Sequence, residues 1–156
     1  MRQPGNRARW RDARRGNAMV EFALSFGFLF SVFAGVFQFG YVYFLYNQLE
    51  NAVRGGARYA SLRAYDSATA TPSDGFTAAV KNVVVYGNPV GTGAAIAPGL
   101  TPEKVSIAVV MERNVPRKVT LSIVNYRLDA VVTSFTLNGK PKVSFPYMGR
   151  FAPPGA

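Results

Sequence analysis

The feature that most constrains this chain is an apolar run without charge from Phe22 to Tyr46. The run is 25 residues long, and the charge-free stretch continues to Leu49 with Gln38 as its main polar interruption. A helix of that length spans roughly 37 Å, more than the ~30 Å hydrocarbon core of a bilayer. A cleavable secretory signal has a shorter apolar region of about 7–15 residues, and a chain of 156 residues is too small to bury such a helix. We therefore predict a membrane-spanning helix at about residues 22–46.

Charges on either side of the run predict its orientation. Residues 1–15 carry six arginines against Asp12, a net charge of +5, whereas residues 47–63 carry a net charge of +2. Because basic flanks remain on the cytoplasmic side, we expect a cytoplasmic N-terminus, a single pass through the inner (cytoplasmic) membrane and an extracytoplasmic C-terminal domain. Clustered arginine also suits nucleic-acid phosphate, but the membrane span argues against an intracellular nucleic-acid binder.

The composition excludes several kinds of catalytic site. The chain has no His and no Cys, which rules out a His-based triad, a thiol nucleophile, a Cys/His zinc site and a disulfide. The acids that follow Glu21 lack the spacing of a calcium loop, and the glycines after residue 86 do not form a phosphate-binding motif. We predict a protein that is not an enzyme, with no cofactor, metal or small-molecule substrate. A carboxylate pair assembled in three dimensions stays open.

Small residues recur every four positions inside the apolar run. Ala23, Gly27, Ser31 and Gly35 therefore share one helical face, where a second helix could approach closely. Membrane helices are rich in glycine for other reasons too, so the spacing leaves open whether this face is a packing interface.

A second pattern stands where the basic arm meets the apolar run. The segment RRGNAMVEFAL places Gly16 after the arginines and Glu21 at the start of the run. It resembles a type IV prepilin processing site, in which a basic leader ends at a glycine and a glutamate occupies the fifth mature position. The resemblance implies that a prepilin peptidase cuts after Gly16, leaving Asn17 as the mature N-terminus and Glu21-Phe22 near the start of the mature helix.

A segment downstream of the run narrows the resemblance. Together with the processing site and the apolar helix, it is similar to TadE-like pseudopilins of the Flp/Tad type IVb pilus assembly system, closely over residues 14–62 and loosely beyond. The residues of this family segment are Asn51, Ala52, Arg54, Gly56, Ala57, Arg58 and Tyr59.

This resemblance implies a minor pilin or pseudopilin that takes part in pilus assembly, and hence in adhesion and surface attachment. Its implied partners are the prepilin peptidase, other pilins and pseudopilins, the Tad assembly platform and the lipid bilayer, and the chain itself could be incorporated in a cell-surface pilus. The alternative that stays open is a single-pass, membrane-anchored extracytoplasmic binding module that does not polymerise.

Beyond the membrane the helical pattern continues. Apolar and small residues recur with helical spacing from Leu49 to Ala64, while Glu50 and Arg54 form an i,i+4 pair on another face. We predict one helix from about Ala18 to about Tyr65, with Gly55-Gly56 serving either close packing or a hinge. The predicted organisation is a basic cytoplasmic leader (1–16), a long helix (17–65) and an extracytoplasmic globular domain (66–156).

The globular domain is predicted to combine a short segment with a small sheet. Asp74 is expected to cap residues 76–86, which read as either helix or strand and stop at Gly87, before a surface loop over 87–102. Alternating apolar residues then predict an antiparallel meander of about four strands, with a bulge before Tyr126 and a two-residue hairpin at Asn138-Gly139. The fold class is α+β and pilin-like, with the long helix packed on the sheet.

The last predicted strand, residues 143–147, is placed at an edge of the sheet. Pro141 and Pro146 cannot donate to a ladder, and Lys140 and Lys142 would discourage pairing with other chains.

Overall fold

The computed structural model describes residues 6–129 and 134–153, with side chains from Asn17 onward. The chain divides into two compact units, Met1–Gly40 and Tyr41–Ala156. Helix α1 runs from Asn6 to Leu62, so it begins in the basic arm and not at the predicted Ala18. Arginine and alanine are good helix formers, which explains why the arm continues the helix.

Helix α1 ends three residues before the predicted Tyr65, because the backbone of Tyr65 forms hydrogen bonds with the C-terminal segment and not with the helix. The Tyr65 N–H donates to Arg150 O at 2.8 Å, and the Ala152 N–H donates to Tyr65 O at 2.9 Å. Tyr65 and Phe151 thus form an isolated parallel bridge. Ala64, predicted to face the core, lies beyond the helix and is exposed.

Residues 76–86 belong to a helix, which settles the open alternative. Helix α2 spans Asp74–Tyr86 and ends at Gly87, whose φ of 76° is left-handed. The expected cap was wrong by one residue: Ser73 is the N-cap, and its Oγ accepts from the Phe76 N–H at 3.1 Å. Asp74 lies in the first turn instead, where a carboxylate interacts favourably with the helix dipole.

A long loop joins α2 to the strands. It contributes two fully buried side chains, Ala97 and Leu100, so it is anchored in the core and not purely a surface loop. A short 3-10 helix, Pro102–Lys104, leads into the first strand.

Five strands follow: β1 (Val105–Glu112), β2 (Val115–Ile123), β3 (Tyr126–Asp129), β4 (Ser134–Leu137) and β5 (Lys142–Pro146). They form two antiparallel sheets, a three-stranded one in the order β1-β2-β5 and the two-stranded β3-β4. The alternating apolar pattern of β1 and β2 is confirmed, since their core-facing residues are buried or half-buried. The edge position of β5 is confirmed as well.

The predicted four-stranded meander is wrong, and so is its hairpin. Strand β4 pairs with β3 and β5 pairs with β2, so Asn138-Gly139 does not join two paired strands. The Gly139 N–H instead donates to Ile123 O at 2.8 Å, and the Ile123 N–H donates to Pro141 O at 3.2 Å. The segment therefore crosses the end of β2 and carries the chain from the small sheet to the large one.

The expected bulge is also placed differently. A turn at Asn125, with a φ of 51°, separates β2 from β3, while the register irregularity occurs between Val110 and Met111 of β1. Thr133, predicted to begin a strand, lies outside the described residues.

The core is built from the C-terminal part of α1, helix α2 and the strands. Two tyrosines lie at its centre, and each satisfies its hydroxyl on a loop carbonyl: Tyr65 Oη donates to Thr69 O and Tyr126 Oη donates to Pro98 O, both at 2.7 Å. The α+β class with a long N-terminal helix and a small antiparallel sheet is confirmed.

Candidate functional site in the long helix

The N-terminal part of α1 is apolar and uncovered. Every residue from Asn17 to Phe33 is exposed, and from Asn17 onward the first buried residue of the helix is Leu45. Among the described residues this is the one helix that is long and apolar enough to cross a membrane, and none of its apolar window is buried. The predicted apolar stretch is therefore helical and exposed, although the helix as a whole begins and ends at other residues than predicted.

Aromatic side chains form a column along this exposed surface. The rings of Phe22, Phe26 and Phe30 follow each other at i,i+4 spacing, with centroids 6.0 and 6.2 Å apart. Their relative exposure is between 56% and 70%. Such a column presents a wide apolar surface to whatever surrounds the helix.

The small residues lie beside this column. Ala23, Gly27, Ser31 and Gly35 are all exposed, and a Cβ added at Gly27 or Gly35 would meet no atom within 4 Å. Ser31 Oγ donates to Gly27 O at 2.8 Å, which satisfies the hydroxyl within the helix. The stripe is thus a surface of small side chains, and its one hydroxyl is hydrogen-bonded within the helix. In the described structure nothing covers this surface.

The predicted processing residues lie in one helical stretch. Gly16 lies within α1, and the structure describes side chains only from Asn17 onward. Asn17, Glu21 and Phe22 are exposed, and the four-residue spacing puts Asn17 and Glu21 on the same face. Among the described side chains, no ion pair involves Glu21.

The family segment, residues 51–59, divides cleanly between two faces of α1. Ala52, Gly56 and Ala57 are buried in the core, whereas Arg54 and Arg58 are exposed. A Cβ at Gly56 would overlap the Val84 side chain of α2 and lie 3.2 Å from Leu121 Cδ2 of β2. The buried half of the segment is therefore the surface on which α2 and the large sheet pack.

The polar half of the segment is held by local pairs. Arg54 Nη2 lies 2.8 Å from Glu50 Oε1, which confirms the predicted i,i+4 pair. One turn further on, Arg63 Nη1 donates to Tyr59 Oη at 2.6 Å, and its guanidinium lies 5.7 Å from the Tyr59 ring centroid. Asn51 is exposed on the same side of the helix.

Sequence reasoning missed two apolar neighbours of this polar half. Phe145 and Met148 line a shallow groove together with Arg54, Gly55 and Arg58. Met148 is 73% exposed. No pattern in the sequence links residues 145–148 to α1, because the contact depends on the end of β5 reaching the helix.

Among the residues that the structure describes, no group of three or more His, Cys, Asp or Glu side chains is close enough to hold a metal ion. The features that stand out in the described part of the chain are an uncovered apolar stretch of α1 and the segment of the same helix that packs in the folded core.

Comparison with known families gives a match over this same region. Residues 16–58 match the family model described as TadE-like protein, which confirms the resemblance read from the sequence. The match begins at Gly16 and ends at Arg58, so it covers the apolar helix and nearly all of the family segment. No curated protein and no solved structure matches the chain significantly.

Proposed function

Because the chain is TadE-like over residues 16–58, we propose that it is a minor pilin or pseudopilin of a Tad-type (Flp, type IVb) pilus. The TadE-like family indicates a Tad pilus-associated, structural protein, and this system implies other pilus components as partners. The observation that carries the proposal is the bare apolar helix from Asn17 to Phe33, directly continuous with a helix that organises a folded core. Such a helix can move from the bilayer into the packed helices of an assembly, because both surround it with apolar groups.

The exposed aromatic side chains support residence in a membrane. Phe28, Phe33 and Phe39 are 65–79% exposed, and each such side chain costs about 1.5–3 kcal/mol in water relative to an apolar environment. Lipid tails or neighbouring helices remove this cost. The basic arm then sets the orientation, with the N-terminus in the cytoplasm and residues 66–156 outside it.

Maturation in this proposal is a cut between Gly16 and Asn17 by a prepilin peptidase. Residues 6–62 are helical, and a protease must hold the scissile backbone extended, so the cleavage region has to unwind first. Glycine lowers the cost of that unwinding by about 1 kcal/mol relative to alanine and accepts the extended conformation without a side-chain clash.

Glu21 then acts as a register device. The new ammonium of Asn17 and the Glu21 carboxylate are costly alone in an apolar surrounding, and a neighbouring subunit at the correct offset pairs them. Desolvation offsets much of the attraction, so the pair selects the offset more than it adds stability. The stripe of Ala23, Gly27, Ser31 and Gly35 supplies the close helix–helix contact beside it.

The cleavage site is tested with Gly16→Val. This variant should keep its leader, because the β-branched side chain disfavours the cut, and the band should stay larger than the wild-type mature form on gels. Gly5→Val, a like change within the leader, should still give a mature N-terminus at Asn17 by N-terminal sequencing. A wild-type-sized mature band from Gly16→Val would contradict the site.

N-terminal sequencing of the native protein also separates the proposal from its alternative. A mature terminus at Asn17 supports the pilin function. A retained Met1 or Arg2 supports a membrane-anchored binding module that does not polymerise.

The register role is tested with Glu21→Ala. We expect this variant to be inserted and cleaved normally but to be missing from sheared pili or purified assemblies. Glu50→Ala is the matched control, since Glu50 is a half-buried acid of the same helix paired locally with Arg54, and it should be incorporated normally. Incorporation of Glu21→Ala at the wild-type level would overturn this role.

A further inference from the structure

The two edge strands of the large sheet, β1 and β5, differ in the features that discourage pairing with a strand of another chain. Strand β5 is bounded by Pro141 and Pro146 and carries the exposed Lys142, the devices that commonly blunt an edge. Strand β1 is eight residues long, contains no proline and has no charge from Val105 to Met111. The register irregularity between Val110 and Met111 affects only the end of this strand. The regular stretch Val105–Val110, which has neither proline nor charge, is therefore a template for another strand.

Hydrogen bonds at the start of β1 show which backbone groups its free edge offers. The Val124 N–H donates to Lys104 O at 2.8 Å, which continues the β1–β2 ladder by one residue pair. In an antiparallel ladder, alternate residues direct both backbone groups to the same neighbour. Residues 104, 106, 108 and 110 therefore face β2, and the N–H and C=O groups of Val105, Ile107 and Val109 point away from it.

The other side of β2 follows the same alternation. Ile123 donates its N–H to Pro141 O and Arg117 accepts from the Tyr147 N–H, so odd-numbered β2 residues face β5 and even-numbered ones face β1. Among the described residues, no backbone hydrogen bond from outside the β1–β2 ladder reaches residues 105–112.

Side chains on the solvent face of β1 have a symmetric arrangement. Ser106, Ala108 and Val110 are exposed, with Val110 at 49%. Glu112 is exposed on this face, four residues after Ala108. Lys104, four residues before Ala108, is the half-buried last residue of the 3-10 helix; its Nζ donates to Gly99 O at 2.6 Å and keeps two further N–H groups. A positive charge thus precedes the strand, a negative charge ends it, and its smallest exposed apolar side chain lies at the midpoint.

We propose that β1 is an interaction edge that pairs antiparallel with β1 of a second copy of this chain, with Ala108 opposite Ala108 on the two-fold axis. In this register Ile107 lies opposite Val109 of the second copy, and these residues exchange four backbone hydrogen bonds across the axis. Lys104 lies opposite Glu112 at both ends. The pair at the axis is of the non-hydrogen-bonded type, whose side chains are closest together, and alanine fits there.

The charges select this register over its neighbours. A one-residue slip would set outward-facing groups against groups already bonded to β2, and the next allowed registers would place Lys104 opposite Val110 or Glu112 opposite Ser106. Glu112 is paired with Arg117 at 3.2 Å within the chain, but its side chain is 65% exposed and can be shared. Exposed pairs contribute little energy, so they determine the alignment while the backbone bonds and the apolar face supply the attraction.

Cysteine cross-linking of the full-length protein in its membrane tests the pairing, because the chain has no native cysteine. Ala108→Cys should form a disulfide-linked dimer under mild oxidation, since Cα atoms of such a pair lie about 4.5 Å apart and a disulfide spans about 4.4–6.8 Å. Ser106→Cys and Val110→Cys alone should not, since each would be about 13 Å from its own copy at ~3.4 Å per residue. A mixture of these two variants should cross-link with each other.

Charge exchange provides the second test. Lys104→Glu and Glu112→Lys, each added to Ala108→Cys, should reduce the dimer band, and the two exchanges together should restore it. Near-UV circular dichroism of each variant in detergent controls for folding. No dimer from correctly folded Ala108→Cys, equal dimer from all three single-cysteine variants, or no restoration by the double exchange would overturn the proposal.

Discussion

At the scale of single residues, two adjacent glycines of α1 have opposite surroundings. Gly56 faces Val84 and Leu121, whereas a Cβ at Gly55 would meet no atom within 4 Å. Close packing therefore explains Gly56 and not Gly55. From the sequence, close packing or a hinge could explain the two glycines together. Only the positions of α2 and β2 show that the two residues have different roles.

We expect Gly56→Ala to destabilise the folded domain by about 1–3 kcal/mol, because overpacking outweighs the helix-propensity gain. Gly55→Ala should stabilise it by about 0.5–1 kcal/mol, since it adds only helix propensity. Thermal unfolding of the two variants in the same detergent gives the comparison. A Gly56→Ala protein as stable as Gly55→Ala would show that the contact with Val84 is relieved at no cost.

Ser73 is a second residue with a defined task. Its Oγ accepts from the Phe76 N–H and donates to Asp66 Oδ1 at 2.6 Å, so it ties the start of α2 to the preceding loop. Ser73→Ala should cost about 0.5–2 kcal/mol of stability, and Ser73→Thr, which retains the hydroxyl, should cost less. Equal unfolding midpoints for the alanine and threonine variants would argue against the cap.

At the scale of elements, local patterns predicted the secondary structure of most segments, but not always the segment with which each one pairs or packs. The spacing of apolar residues gave the buried face of α1 and the alternation of β1 and β2, because these periods follow from backbone geometry alone. Asn138-Gly139 is a strong hairpin signal, yet the chain is diverted to β2, because the Gly139 N–H donates to Ile123 O and the Ile123 N–H donates to Pro141 O. That outcome depends on a residue 16 positions before Gly139 in sequence, which no local signal encodes.

The candidate site shows the same division between local and distant information. The bare apolar helix and the faces of the family segment could be predicted because they depend on composition and helical period. Phe145 and Met148, which line the groove beside Arg54, could not, since a strand end and a helix meet there only after the sheet has formed. The undefended edge of β1 likewise became visible only once β2 and β5 had been placed.

At the scale of the whole molecule, the core of the folded domain contains or borders tyrosines whose ionisation would destabilise the folded state. Burial raises the pKa of Tyr65, Tyr126 and Tyr147 above the ordinary value of 10.0. Above that pH the unfolded chain releases these protons while the folded chain still holds them. The stability that these tyrosines contribute is therefore fully present below pH 10 and is lost as the pH rises from there through the raised folded-state pKa values.

Tyr126→Phe tests this linkage because it keeps the ring and removes the titrating hydroxyl. The variant should be less stable than wild type at neutral pH, since it loses the bond to Pro98 O. Its unfolding temperature should nevertheless fall less steeply between about pH 9 and 11, so the two curves converge. Thermal unfolding at each pH, with tyrosinate absorbance followed in parallel, gives both quantities. Parallel curves would mean that Tyr126 ionises equally in the folded and unfolded chains, and the alkaline loss of stability would then belong to other groups.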